Sequence, residues 1–169
     1  MDVIIIKADS RDAVEILALQ KEAYLREAEL NGDFSIPPMT QTLSDIESEF
    51  HKKIFLKAVH DDKIIGSVRG HLDKGTCYIG RLIVNPGWQG RGIGSMLMEG
   101  IEKAFPDAER FELFTGKRSI ANIRLYERLG YEKFREDDLN QKVRLVFLWK
   151  NQMRKNIEKS CSTIHWHTG

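Results

Sequence analysis

Short apolar runs alternate with helical patterns along this chain, and turn signals separate them. Runs rich in β-branched residues predict strands over residues 3–6, 54–60, 64–72, 77–84, 111–115, 131–134 and 143–149. Apolar stripes at helical spacing predict helices over residues 11–30, 43–50, 93–105 and 119–129. Pro37-Pro38 predicts an extended stretch between the first two helices, and Glu136-Asp137-Asp138 predicts a loop between the last two strands. The order is that of an α/β domain.

The segment from residue 82 to 97, with the sequence LIVNPGWQGRGIGSML, combines three patterns. A β-branched run ends at an Asn-Pro-Gly turn signal, three glycines follow, and a helical stripe begins after them. Glycines let a ligand approach the backbone, and the first helical turn offers unpaired N–H groups with partial positive charge. The segment therefore predicts an anion site suited to phosphate or pyrophosphate. A tight connection without a ligand is the structural alternative.

The spacing of these glycines excludes two common phosphate-binding motifs. The P-loop ending Gly-Lys-Ser/Thr is absent, and GxGxxG is absent as well. The pattern present is Gln89-x-x-Gly92-x-Gly94, which resembles the acetyl-CoA pyrophosphate loop of the GNAT superfamily of N-acetyltransferases. Downstream, the stretch from Asn122 to Tyr131, NIRLYERLGY, is similar to that family's second cofactor motif. Together the two motifs extend the resemblance over residues 3–149.

The resemblance implies the acyl-CoA N-acyltransferase (GNAT) fold, a mixed central sheet flanked by helices. Two strands of this fold splay apart at the cofactor site, and here they would be residues 77–84 and 111–115. A bulge near Gly80 would assist the opening, because glycine inside a strand often marks one. The family also implies acetyl-CoA as co-substrate and no metal. The cofactor-binding residues that it implies are Leu82, Ile83, Val84, Gln89, Gly90, Arg91, Gly92, Ile93, Gly94, Ser95, Asn122 and Tyr126.

Acetyl transfer to an amine requires a deprotonated amine, a stabilised oxyanion and a protonated leaving thiolate. By resemblance, Tyr126 is the general acid, and Asn122, one turn earlier on the same helical face, binds the cofactor arm. The structural alternatives are a tyrosine packed between helix and sheet and an asparagine at the helix start. Many family members place a Glu on the strand before the glycine loop, but residues 78–84 contain no carboxylate.

The missing carboxylate leaves the general base open. His71 is a candidate, because histidine titrates near neutral pH, although a lone His on a strand is more often structural. A water chain or an amine that arrives neutral are the alternatives. Arg69 and Arg81 are candidates for orienting an acidic substrate group. Three acidic residues favour a cationic amine, although a solvated helical face explains them equally well; they are Asp33, Asp45 and Glu49.

Length and charge restrict the class further. A chain of 169 residues with a formal charge of +1 suits one domain and predicts no nucleic-acid partner. No apolar run approaches the roughly 18 residues of a membrane span, so no membrane partner is expected. The N-terminal residues lack a signal-peptide pattern. Because the cysteines, Cys77 and Cys161, lie far apart in the sequence, we expect a reducing, cytoplasmic location.

We expect a single acetyltransferase domain over residues 1–150 and a basic extension over residues 151–169. Cys161, His165 and His167 in the extension do not amount to a fixed four-ligand zinc site. The expected function is transfer of an acetyl group from acetyl-CoA to a primary amine of a small molecule or peptide by direct attack. The alternative is a non-catalytic acyl-CoA-binding or regulatory module. Exposed edges of the last two strands permit a homodimer, as happens in the family.

Overall fold

The computed structural model describes residues 2–152. Across these residues, a single sheet contains seven strands: β1 (Ile4–Lys7), β2 (Ile54–His60), β3 (Lys63–Asp73), β4 (Thr76–Val84), β5 (Arg110–Gly116), β6 (Glu132–Asp138) and β7 (Arg144–Asn151). Their order is β1-β2-β3-β4-β5-β7-β6. All neighbours are antiparallel except β4 and β5, which are parallel. The sheet is therefore mixed, as the sequence predicts.

Five α-helices occur within residues 2–152: α1 (Ala13–Asn31), α2 (Pro37–Thr40), α3 (Leu43–Glu49), α4 (Ile93–Ala104) and α5 (Ile120–Arg128). Side chains of α1 and α3 share one core cluster with Phe55 and Ile83. Side chains of α4 and α5 share a second cluster with β4, β5 and β7. Helices therefore cover the sheet on both faces, and the predicted apolar stripe of α4 is buried at Ile93, Leu97 and Ile101.

Local signals set the ends of the helices on the α1 face. Helix α1 ends at Gly32, whose φ of 63° is left-handed and whose N–H bonds the carbonyls of Ala28 and Glu29. Helix α3 begins after a capping box, in which Thr42 and Asp45 bond each other's backbone N–H groups. These caps set the path of residues 32–42, which cover one side of the sheet.

Strands β4 and β5 separate after a short paired segment. They pair only from Thr76 to Tyr78, opposite Arg110 to Glu112. Beyond this point β4 keeps its pairing with β3, and β5 keeps its pairing with β7 as far as Gly116. The facing edges of β4 and β5 therefore open into a gap, as the family resemblance implies.

A β-bulge lies where the strands open. Gly80 pairs with Arg69 and Ile83 pairs with Ser67, so two residues of β4 stand opposite a single residue of β3. Arg81 has a left-handed φ of 51° at this point, a conformation that is uncommon for a residue other than glycine. The predicted bulge near Gly80 is confirmed. At the bulge, the Arg81 side chain departs from the regular alternation of side chains between the two faces of the sheet.

A buried arginine connects the sheet to α1 and α3. The side chain of Arg69 is 1% exposed, and its Nη1 lies 2.6 Å from Oε2 of Glu49. Its Nη2 donates to Oε1 of Gln20 at 2.5 Å, and its guanidinium lies 4.5 Å from the ring centre of Phe55. Burial lowers the pKa of Arg69 to about 10, which still leaves the group charged at neutral pH. Arg69 therefore belongs to the core and does not orient a substrate.

Three sequence predictions about local structure are wrong. Pro37 and Pro38 begin the short helix α2, because proline is well suited to the first helical turn. Glu136, Asp137 and Asp138 belong to strand β6, and the connection to β7 follows them. Strand β7 lies between β5 and β6, so of the last two strands only β6 has a free edge, and β1 forms the other edge of the sheet. No helix among residues 2–152 is long and apolar enough to span a bilayer. Of the predicted extension, Asn151 ends β7, and residues 153–169, with Cys161, His165 and His167, lie outside the described residues.

Candidate active site

The glycine segment forms an open cradle at the start of α4. Gly90 and Gly92 have φ values of 77° and 80°, and nothing lies within 4 Å of a Cβ added at either position. The first intrahelical bond runs from the N–H of Met96 to the carbonyl of Gly92. The preceding N–H groups of the helix, which include those of Gly94 and Ser95, therefore lack intrahelical acceptors. The cradle fits a phosphate or pyrophosphate group.

Side chains next to the cradle add charge and rigidity. The guanidinium of Arg91 lies 4.7 Å from the ring centre of Trp88, and Trp88 contacts the ring of His60 at 4.5 Å. Stacking keeps Arg91 beside the cradle with its charge exposed to solvent. Gln89 is also exposed. The predicted roles of Gln89 and Arg91 toward a phosphate stay predictions.

We expect a Gly92→Ala variant to bind acetyl-CoA about 10-fold more weakly. Alanine at a left-handed position costs roughly 1–2 kcal/mol, and the free loop relieves this strain by leaving the cradle conformation. Binding must then restore the conformation, and about 1.4 kcal/mol corresponds to a factor of ten in affinity. Calorimetric titration measures the affinity. A matched control is Gly32→Ala, because Gly32 also has a positive φ, 63°, with open space around it but lies at the end of α1. An unchanged affinity in Gly92→Ala contradicts the assignment of the cradle.

A pocket of about 220 Å³ occupies the gap between the splayed strands. Its walls come from α1, α2, the open edges of β4 and β5, α5, and the connection between β6 and β7. Leu82 lines it from β4, and Thr115 lines it from β5. Strand β4 has no strand partner on this side after Tyr78. Its backbone around Leu82, Ile83 and Val84 therefore borders a gap in which an extended amide-containing chain fits.

Tyr126 lies in the wall of this pocket. Its side chain is 5% exposed, and its ring packs edge-on against Tyr131 at 6.1 Å. Burial, together with the nearby Tyr24 and Glu27, raises the pKa of Tyr126, so the phenol keeps its proton at neutral pH. Tyr126 lines the pocket, and within residues 2–152 no hydrogen bond of its hydroxyl is found. The ring is packed against the sheet, and the role of the phenol as general acid stays a prediction.

Asn122 lines the same pocket one helical turn before Tyr126. Its Nδ2 lies 3.5 Å from Oγ1 of Thr115 on β5. Because the two residues are four positions apart, α5 presents both on one face, as the sequence predicts. Gly94 permits this arrangement: a Cβ there would approach Leu125 of α5 to 3.2 Å. The cradle of α4 and the polar face of α5 thus meet at the open strands.

His71 does not line the pocket. It pairs with Tyr78 across β3 and β4, where β4 is still joined to β5, and its ring stacks on that of Tyr78 at 5.3 Å. Burial and the charge of Lys53 lower the pKa of His71, so the imidazole is neutral at pH 7. The ionisation state suits a base, but the structure does not bring His71 together with Tyr126. Its catalytic role stays a prediction.

Arg81 is a positive charge in the wall of the pocket. The bulge directs it toward α1, and its charge lowers the pKa of Tyr24, although burial raises that pKa more strongly. Nε of Arg81 is buried and has no hydrogen-bond partner within residues 2–152. Arg81, unlike Arg69, lines the pocket, and its role in orienting a substrate group stays a prediction.

The acidic residues singled out from the sequence are held by the fold. Asp33 accepts hydrogen bonds from Ser35 and Asn140. Asp45 caps α3. Glu49 pairs with Arg69 and with Lys53. The structure therefore does not support the prediction that these residues attract a cationic amine, because each carboxylate already has partners.

Sequence reasoning missed the polar face that α1 turns to the pocket. Tyr24, Glu27 and Asn31 all line it, and their spacing of three and four places them on one side of a helix. The available signal is that these positions continue the buried stripe of Ile16 and Leu19 with residues that have polar ends. Periodicity alone does not distinguish such a face from a solvated one.

The comparisons with known proteins agree with this geometry. The model of the acetyltransferase (GNAT) family matches residues 15–131. The UPF0157 protein YqkA of Bacillus subtilis (strain 168) is 31% identical over 121 residues, which cover 72% of this chain. The chain spans about a third of the length of that relative, 35%. The chain belongs to the GNAT family of acetyltransferases, as the two motifs predict.

Solved structures share the fold at low sequence identity. The PaiA N-acetyltransferase from Thermoplasma acidophilum, in complex with coenzyme A, is 16% identical, with a TM-score of 0.74 over 89% of this chain and 99% of that one. YncA from Salmonella typhimurium, a putative acetyltransferase with its cofactor acetyl-CoA, is 18% identical, with a TM-score of 0.71 over 89% and 94%. These likenesses confirm the GNAT fold.

Proposed function

We propose that this protein transfers an acetyl group from acetyl-CoA to a primary amine by direct attack. The observation that carries the proposal is the meeting of three features at one gap in the sheet. They are the glycine cradle of α4, the unpaired edge of β4 and the Tyr126 hydroxyl, which borders the pocket. Membership of the GNAT family supports acetyl transfer in general. We infer that the acetyl group goes to an amine nitrogen because the pocket offers polar groups that suit an amine and a proton donor for the leaving thiolate.

The cradle and the open strand fit the parts of acetyl-CoA in order. Pyrophosphate carries negative charge, which suits the N-terminus of α4 and the nearby Arg91. The pantetheine arm carries amides, which suit the free backbone groups of Leu82 to Val84. Asn122 offers a side-chain amide farther along. With the pyrophosphate on the cradle, the thioester would lie toward the pocket where Tyr126 is found.

Tyr126 suits protonation of the leaving thiolate. A phenol and a thiol have ordinary pKa values near 10 and 8.5, close enough for proton transfer. Burial raises the pKa of Tyr126, and the same desolvation acts on a thiolate. The thiol of Cys77 illustrates this effect, because burial raises its pKa to about 12. A sulfur leaving in this pocket would also become more basic, so desolvation need not widen the difference between the two pKa values.

A non-catalytic acyl-CoA-binding module is the second candidate. The observation that favours it is the absence of a carboxylate from β4 between Tyr78 and Val84, where many family members carry a base. The retained Tyr126 and the complete cradle favour the enzyme. A homodimer through the free edge of β6 and a cytoplasmic location remain predictions.

Two measurements on the same sample test the proposal. Calorimetric titration with acetyl-CoA reports binding, and a thiol-release assay reports transfer to a panel of alkylamines, polyamines, amino acids and peptide N-termini. Binding with release of CoA in the presence of an amine supports the enzyme. Binding without release for any amine favours the regulatory module, and absence of binding overturns the cofactor assignment.

A further inference from the structure

The pocket has a carboxylate in its wall, and this carboxylate comes from α1 and not from β4. Among the residues of the described chain that line the pocket, Glu27 is the one with an acidic side chain. It lies on α1, across the gap from the bulge of β4. The other acidic residues near this region, Asp33 and Glu49, already have partners.

The position of Glu27 is defined by contacts with the end of β5. Its Oε1 accepts a hydrogen bond from the Ser119 hydroxyl at 2.8 Å. The same oxygen lies 2.7 Å from where a Cβ of Gly116 would be, so the absence of a side chain at Gly116 makes room for the carboxylate. Within residues 2–152, Glu27 forms no ion pair with a Lys or Arg. The carboxylate is therefore held in place by Ser119 without a direct ion pair in this part of the chain, and Arg81 is the cation that shares the pocket wall with it.

Glu27 is electrostatically close to the proposed acid. Its charge contributes to the raised pKa of Tyr126 and of Tyr24. The charged and titratable groups that line the pocket with it are Tyr24 on its own helix, Arg81 on β4 and Tyr126 on α5. One pocket thus contains a proton donor and a separate proton acceptor, which is the pairing that acetyl transfer requires.

The remaining walls restrict the acceptor. Apolar side chains form much of the remaining wall of the pocket, and they include Ile36, Pro37, Phe114, Leu139 and Val143. The neighbouring surface cleft is lined by four cations, Lys117, Arg118, Lys142 and Arg144. Glu136 and Asp138 pair with two of them, so the cleft keeps an excess of positive charge. An acceptor with a second cation would be repelled there, whereas an apolar body fits the walls.

We propose that Glu27 binds the ammonium group of the acceptor and takes its proton, and that the acceptor is a primary amine on a small apolar body. The inference rests on the proposed N-acetyltransferase function and deepens it. Glu27 would take the role that the missing β4 carboxylate leaves open. The volume of about 220 Å³ accommodates a short alkyl or single aromatic group.

The proposed proton movements balance. The ammonium nitrogen gives one proton to Glu27, which passes it to solvent. The neutral amine then forms a bond to the thioester carbonyl carbon, and the carbon–sulfur bond breaks. The sulfur takes a proton from Tyr126, and the nitrogen loses its second proton, which restores the phenol through solvent. The products are the N-acetyl amine and free CoA, with one proton released.

A Glu27→Gln variant tests the inference with 2-phenylethylamine as acceptor. Glutamine keeps an oxygen for the Ser119 hydroxyl and removes the charge and the basicity. We expect kcat/KM for the amine to fall about 100-fold at pH 7, with unchanged calorimetric affinity for acetyl-CoA. The loss should shrink as pH approaches the pKa of the amine, because the neutral amine then needs no base. Ser119→Ala is the complementary control, because it removes the hydrogen bond that Glu27→Gln keeps and leaves the carboxylate in place.

Each outcome separates the inference from the function on which it rests. Wild-type protein that binds acetyl-CoA and acetylates no amine overturns both. If the wild type acetylates the amine and Glu27→Gln has a kcat/KM within about threefold of it, the role of Glu27 alone is overturned. An equal, pH-independent loss in Glu27→Gln and Ser119→Ala shows a structural role and overturns it as well. Faster turnover of spermidine than of 2-phenylethylamine overturns the apolar acceptor.

Discussion

A Tyr126→Phe variant is expected to bind acetyl-CoA with wild-type affinity and to lose about 100-fold or more of its turnover. Phenylalanine keeps the ring that packs against Tyr131, so the fold and the cradle remain intact. Only the proton that would reach the departing thiolate is removed. Single-turnover thiol release measures the chemical step, and calorimetry measures binding in the same preparation.

A neighbouring tyrosine supplies the control for this variant. Tyr131 is also buried, but its hydroxyl bonds Glu102 at 3.3 Å and it does not line the pocket. Tyr131→Phe should lose about 1 kcal/mol of stability and keep its turnover. If Tyr126→Phe retains more than half of the wild-type rate, the phenol has no part in the mechanism, and water is then the proton donor.

An Arg69→Met variant is expected to lose about 3–5 kcal/mol of the free energy of unfolding. Methionine fills much of the arginine volume but leaves Glu49 without its buried partner and Gln20 without its donor. Uncompensated buried polar groups are more costly than the ion pair is stabilising. The contact with the ring of Phe55 at 4.5 Å is lost too. Urea unfolding should show a lower midpoint concentration and an unchanged dependence of the free energy of unfolding on urea concentration.

An exposed ion pair provides the comparison for Arg69. Lys103 and Glu99 lie one turn apart on α4 with side chains 75% and 67% exposed. Lys103→Met should change stability by no more than about 0.5 kcal/mol. A loss below about 1 kcal/mol in Arg69→Met would mean that the existing pair with Lys53, together with water, is enough to satisfy Glu49. The buried pair would then not be what joins α1 and α3 to the sheet.

The fold, the glycine cradle and the shared face of Asn122 and Tyr126 were predictable because their signals are local. The glycine cradle lies within residues 82–97, and Asn122 and Tyr126 are four positions apart on one helix. Both the order of elements and the splayed strands follow from the two motifs and the family resemblance. The errors were local as well: Pro37-Pro38 begins a helix, since proline is compatible both with an extended chain and with a first helical turn.

The acceptor half of the pocket depends on contacts that sequence patterns do not encode. Glu27 meets Ser119, which is 92 positions away, because α1 packs over the open ends of β4 and β5. On its own helix Glu27 is one polar position among many. Arg69 likewise has the sequence signature of an exposed strand residue, and the packing of α1 and α3 buries it.

The sequence by itself determined the element order, the glycine cradle and the pairing of Asn122 with Tyr126, because periodicity and turn chemistry act over a few residues. Only the tertiary structure decided which charged groups face the pocket. It places Arg81 and Glu27 in the walls, encloses Arg69 in the core and leaves His71 beside Tyr78. The physical reason is that sheet pairing and helix packing join distant segments, and burial then determines which polar groups become partners and which remain available to a substrate.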